Sequence, residues 1–235
     1  MSYPLYIIFG VLPSIVWLLF YLRRDTHPES NKMILKIFFY GMIAALPAIL
    51  LELGISDVIS GFNFSTSVTA ILTIFIAVAF TEELLKYLVV SGKVLKSSEL
   101  DEPIDIMLYM IIAALGFAAS ENILIMFSMG PAFLLNQTFS TSVFRFLGAT
   151  LLHTLSSGLL GFFLAISVCK NRGGWKIFLL GLALAVFLHG LYNFAIIELE
   201  GDLVWQIPSL ILFGLAIFTT FSIRKLKQLK SVCKM

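Results

Sequence analysis

A chain of 235 residues that is 59% hydrophobic, only 13% charged and of mean hydropathy +0.98 has too little polar surface to close as a soluble globule. It reads as a polytopic membrane protein, in which the net charge of +2 matters only through where the charges fall. The two cysteines, Cys169 and Cys233, fall at ends of spans assigned to the cytosol, so free thiols are expected.

The first apolar run covers residues 5–22. It lacks the basic leading region and small-residue cleavage site of a secretory signal and is expected to remain as a helix. After the polar loop RRDTHPESNK, further spans are predicted at 33–53, 67–90, 104–127, 145–169, 176–197 and 203–223. Each supplies the roughly 20 residues that cross about 30 Å of hydrocarbon. With the N-terminus outside, every Lys and Arg falls on or near the cytosolic side except Arg145, and the outer loops 54–66, 128–144 and 198–202 hold no basic residue. The expected fold is therefore all-α: a helix bundle of about seven transmembrane helices, N-out and C-in. It forms a single domain over 1–235 with its chemistry between 80 and 195. No solenoid repeat or low-complexity tract divides it.

The ionisable groups well inside these spans form a short set: Glu82, Glu83 and Lys86 on the third, Glu121 on the fourth, His153 on the fifth and His189 on the sixth. Charged and unpaired, the two adjacent glutamates alone would oppose insertion by about 5–7 kcal/mol. Four consecutive helices each contribute at least one such group, as expected when side chains converge on a bundle interior. Phe117 and Glu121, His153 and Ser157, and His189 and Asn193 are each one helical turn apart and so share a face. Glu82 and Lys86 have the spacing of an intrahelical ion pair that would neutralise itself. Glu83 lies about 100° further round the helix and must find its partner elsewhere. Each histidine taken singly would be an ordinary packing residue; two at matching depth on neighbouring helices argue for a site.

A buried carboxylate can act as general base toward water, and a histidine with an amide donor can stabilise an oxyanion. Glu82 or Glu83 as base, with His189 and Asn193 as donors, would make a peptide-bond hydrolase in the bilayer. The same residue types could instead hold a zinc ion, the one cofactor left open; Glu121, His153 and His189 are then the expected ligands. An HExxH helix, a GxSxG elbow beside Ser156 and Ser157, a P-loop and a dinucleotide fingerprint are all absent from the sequence.

The EExxK of Glu82, Glu83 and Lys86, the FxxxEN of Phe117, Glu121 and Asn122, His153 on the next span and the HxxxN of His189 and Asn193 together resemble the PrsW family of intramembrane proteases. RRDTHPE and EPIDIMLY look like that family's loop motifs. The motif order is also distantly similar to that of the CAAX prenyl proteases and related bacteriocin-processing membrane proteases, which carry His where this chain has Glu121. The missing third histidine favours a metal-free glutamate mechanism, although the family is often described as metalloprotease. The resemblance implies a multi-pass protein of the bacterial cell membrane. It implies a water activated by the Glu82 and Glu83 pair, with His189 and Asn193 as stabilisers. The implied partners are the lipid bilayer and a single-pass substrate of the anti-sigma factor type, with no nucleic acid. A proton-coupled transporter uses similar buried groups, but paired halves and broken helices are not evident here. A non-catalytic binding protein with the same motifs is the other alternative. Counted linearly, Glu82 and Glu83 lie about two helical turns from the level of Glu121, His153 and His189. A shared site therefore requires the third helix to be shifted outward, running on past Val90, or the helices to tilt.

Overall fold

A computed structural model of the chain describes residues 3–24, 28–97, 100–129, 135–170 and 172–229. Regular structure among these is helical throughout. It comprises α1 (Tyr3–Leu22), α2 (Asn31–Gly61), α3 (Thr66–Leu72), a π-helical stretch (Thr73–Phe80), α4 (Thr81–Lys93), α5 (Pro103–Ser128), α6 (Leu135–Leu147), α7 (Ala149–Cys169), α8 (Gly174–Glu198) and α9 (Leu203–Leu229). The segments from Thr66 to Lys93 form one span and those from Leu135 to Cys169 another, so that seven are long and apolar enough to cross a membrane.

Several boundaries differ from those predicted from sequence; α9, for one, runs on to Leu229 rather than ending at 223. Helix α2 runs on to Gly61 rather than ending at 53, because hydropathy marks the end of the apolar run and not the end of the helix; the stop comes at Asn63, whose φ is 52°. The expected outer loop 128–144 contains α6. Its apolar Leu135, Phe139 and Val143 recur at helical spacing among Asn136, Gln137, Ser140 and Thr141, a pattern too polar to read as a span. Ser142 ties this helix to α1 by donating to the Phe9 carbonyl at 2.8 Å.

Helix α5 is the axis of the bundle. Every residue from Pro103 to Ala119 is buried, as expected for a helix that is apolar all round, and α1, α2, α4, α7 and α9 all pack against it. Its start is fixed by Pro103 in the first turn and by Asp105, whose carboxylate accepts the Glu102 N–H at 2.7 Å. Helix α2 crosses it very closely. A Cβ on Gly41 would collide with the Ala113 carbonyl and one on Gly116 with the Phe38 carbonyl, so both positions need a residue without a side chain. The outer faces are apolar as well: Leu50, Leu210 and Phe213 are about 70% exposed, which suits lipid and not water.

Cys169 is disulfide-bonded, which corrects the expectation of a free thiol there. Helix α9 packs along α7. Cys233 lies outside the described residues.

Candidate active site

Glu83 and His189 meet at 2.9 Å and Glu82 and His189 at 3.8 Å, so the two-turn offset counted along the sequence does not keep these residues apart. The π-helical stretch closes wider i→i+5 turns immediately before Glu82, so it advances less per residue and shifts the phase of α4 beyond it; such segments recur at functional sites. The helix also continues past Val90 to Lys93. On the other side, Gly190 allows α8 to lie directly on this stretch. A Cβ there would sit 2.5 Å from the Phe75 ring, and the adjacent His189 is thereby carried up to the glutamates.

Lys86 is the centre of the resulting cluster. Fully buried, its Nζ lies 3.1 Å from Glu82 Oε2, 2.9 Å from Glu83 Oε1 and 2.8 Å from His153 Nδ1, and 4.6 Å from the centre of the Phe117 ring. The three donors of an ammonium are thus fully used. Glu83, also fully buried, accepts in addition from Ser156 Oγ at 3.1 Å, Ser157 Oγ at 2.7 Å and His189 Nδ1 at 2.9 Å. A carboxylate so surrounded is held in one geometry.

These contacts fix the histidine tautomers. His153 Nδ1 accepts from the Lys86 ammonium, so its Nε2 carries the ring hydrogen and donates to Glu121 Oε2 at 2.7 Å. His189 Nδ1 donates to Glu83 Oε1, and its Nε2 lies 3.8 Å from Glu82 Oε2. The rings meet edge to face at 82° with centroids 5.1 Å apart. Glu121 also pairs with Arg145 Nη2 at 3.0 Å. The Arg145 Nε donates to Asn122, whose amide in turn holds Gly10 O and Thr150 Oγ1 at 3.2 and 3.0 Å.

Above the cluster opens a cavity of about 410 Å³. Glu82, Glu121, Arg145, His153, His189 and Asn193 supply its polar wall, Glu52 from α2 stands at its side, and Ile49, Val78, Leu124, Phe144 and Ile197 make the rest apolar. Glu83 is not part of the lining; it lies behind His189 and is reached from the cavity only through its neighbours.

The donor set suits a divalent metal. Glu82, His153 and His189 each offer an atom within 4.8 Å of the others, and one carboxylate with two imidazoles is a ligand set typical of catalytic zinc. The Nε2 of His153 is held by Glu121 and the Nδ1 of His189 by Glu83, as in metal-ligating histidines, while His153 Nδ1 and Glu82 Oε2, the atoms left to face an ion, now contact the Lys86 ammonium, which an ion there would have to displace. Glu121 therefore stands beside His153 and pairs with Arg145, whereas the group that can close on an ion contains Glu82 in its place.

All the sequence-derived site residues thus come together: Glu82, Glu121, His153, His189 and Asn193 around one cavity and Glu83 behind it. Arg145, Glu52 and the acceptor role of Glu83 toward Ser156 and Ser157 escaped sequence reasoning. A signal for Arg145 was present, since it alone broke the charge asymmetry of the loops.

A family profile described as "PrsW family intramembrane metalloprotease" matches residues 29–221. The chain is 30% identical over 230 residues to a protein named Protease PrsW from Geobacillus kaustophilus (strain HTA426), covering 96% of this chain and 92% of that one. It is 28% identical over 228 residues to Protease PrsW of Bacillus subtilis (strain 168), covering 95% and 94%. No solved structure matches. With the match running through all the buried motifs, the chain belongs to the PrsW family of intramembrane proteases, multi-pass hydrolases of the bacterial cell membrane.

Proposed function

We propose that this protein hydrolyses a peptide bond of a single-pass membrane protein, of the anti-sigma factor type, at the cavity above Lys86, and that Glu82 is the general base. The observation that carries this reading is the asymmetry of the glutamate pair: Glu82 reaches the cavity, whereas Glu83 is sealed behind it. A water in the cavity gives a proton to a Glu82 carboxylate oxygen while its oxygen attacks the scissile carbonyl carbon. The oxyanion that forms is within the province of the Asn193 amide and the Arg145 guanidinium, both of which line the same wall. Collapse breaks the C–N bond, and the proton held on Glu82 passes to the departing amine. Glu83 orients His189 and, with Glu82, balances Lys86; Glu121 steadies His153. The apolar remainder of the cavity wall excludes bulk water and suits an unwound segment of a membrane helix. Were a zinc ion held by Glu82, His153 and His189 instead, it would supply a Lewis acid that polarises a carbonyl and activates water, and Glu82 would then serve as its ligand and not as the base.

We also propose the N-out, C-in orientation, on which the basic ends of the spans face the cytosol. Cys169 lies at that basic end, so its redox state in cells tests the orientation: a reduced thiol fits a cytosolic end and a persistent disulfide an outer one.

The function is tested by comparing new protein N-termini in membranes from cells expressing the wild type or Glu82→Gln at equal abundance. Termini near the membrane segment of a single-pass protein should vanish in the variant. Identical termini in both would remove proteolysis by this site and favour a binding or transport role.

A further inference from the structure

A second recess, of about 140 Å³, lies at the basic end of the bundle between the end of α1 and the last turns of α9. Arg24, Arg224 and Lys227 line it together with Tyr21, Thr219 and the apolar Phe20, and no acidic residue does. Among the described residues none of the three cations has a carboxylate partner. Two are held in place: the Arg24 guanidinium lies 4.8 Å from the centre of the Phe20 ring, and Lys227 Nζ donates to the Arg24 carbonyl, keeping two further N–H donors. Thr219 is only 1% exposed, yet its Oγ1 has no hydrogen-bond partner. The next residue shows the usual solution, Thr220 Oγ1 donating to the Ala216 carbonyl at 2.9 Å. A buried hydroxyl left unsatisfied beside three cations that have no carboxylate partner among the described residues is the complement of an anionic oxygen ligand.

We propose that this recess binds the phosphate group of an anionic phospholipid. Like-charged groups gathered without counter-charge repel one another, and a phosphate both relieves that repulsion and accepts from Thr219, Arg24, Arg224 and Lys227 together. The lipid, and not only its phosphate, fits the location: the recess sits at the ends of two spans, where headgroups lie, and Phe20, 42% exposed, continues its wall onto the lipid-facing side of α1.

The test uses the full chain purified in neutral detergent, with bound lipid counted by native mass spectrometry after titration with phosphatidylglycerol, phosphatidylcholine or inorganic phosphate. The wild type should retain phosphatidylglycerol in preference to phosphatidylcholine. Each cation removed should weaken binding about fivefold, hence roughly 25-fold for Arg24→Gln with Arg224→Gln. Thr219→Val should weaken it several-fold without lowering the lipid-free unfolding midpoint. Competition by inorganic phosphate at concentrations near those of the lipid would keep the anion site and name free phosphate as its source. Equal retention of the two lipids with no phosphate effect, or phosphatidylglycerol binding unchanged in both variants, would overturn it. Neither variant touches the hydrolytic site, so the outcome is independent of the proposed proteolysis.

Discussion

The sealed and open sides of the cluster differ in what their residues can do, although both are built from glutamate and histidine. On the sealed side, Glu83 accepts from Lys86, Ser156, Ser157 and His189 and is fully buried. On the open side, Glu82 has Lys86 as its short contact, with His153 Nδ1 at 3.4 Å and His189 Nε2 at 3.8 Å, and one face toward the cavity. A carboxylate whose lone pairs are all committed cannot take a proton from water without breaking a network; one with a free face can. On the proposed mechanism, adjacent residues of the same type are divided between positioning and reaction.

Substitutions on the sealed side should therefore register in stability and those on the open side in rate. The largest effect is expected for Lys86→Met, which leaves two buried carboxylates without their cation. A loss of about 3–5 kcal/mol should be seen in unfolding of the detergent-solubilised protein, with much of it regained when Glu83→Gln is added. Glu121→Gln frees Arg145 and weakens the hold on His153, and should lower cleavage about 10- to 100-fold with little change in the unfolding midpoint. Gly190→Ala forces α8 off the Phe75 ring and moves His189 with it; a loss of about 1–3 kcal/mol should accompany reduced cleavage. The smallest effect is expected for Ser157→Ala, which removes one of several donors to Glu83 and should cost about 1–2 kcal/mol in the same unfolding assay.

Much of this arrangement is legible in the sequence. Apolar runs of membrane length disclose the seven spans, and Glu82, Glu83, Glu121, His153 and His189 declare themselves because an ionisable group in hydrocarbon demands a partner. Phase and depth, by contrast, stay hidden. Nothing in TIFIAVAF marks the π-helical turns that precede Glu82, a stretch that packs against α8 and α2. Helix α6 is hidden for a related reason. Its polar face satisfies neither the hydropathy of a span nor the composition of a loop, and Arg145 reaches Glu121 from the end of this helix, just before the break at Gly148, where a Cβ would meet the Tyr192 hydroxyl at 2.6 Å.

That Glu82 reacts while Glu83 positions is tested most directly by Glu82→Gln and Glu83→Gln side by side, measuring single-turnover cleavage of a reconstituted single-pass substrate and the unfolding midpoint of each variant. Glu82→Gln is expected to lower cleavage at least about 100-fold with its stability nearly unchanged, whereas Glu83→Gln should lose stability together with activity. A Glu82→Gln variant that cleaves at nearly the wild-type rate, beside a stable but inactive Glu83→Gln, would contradict this division and move the base to the sealed side.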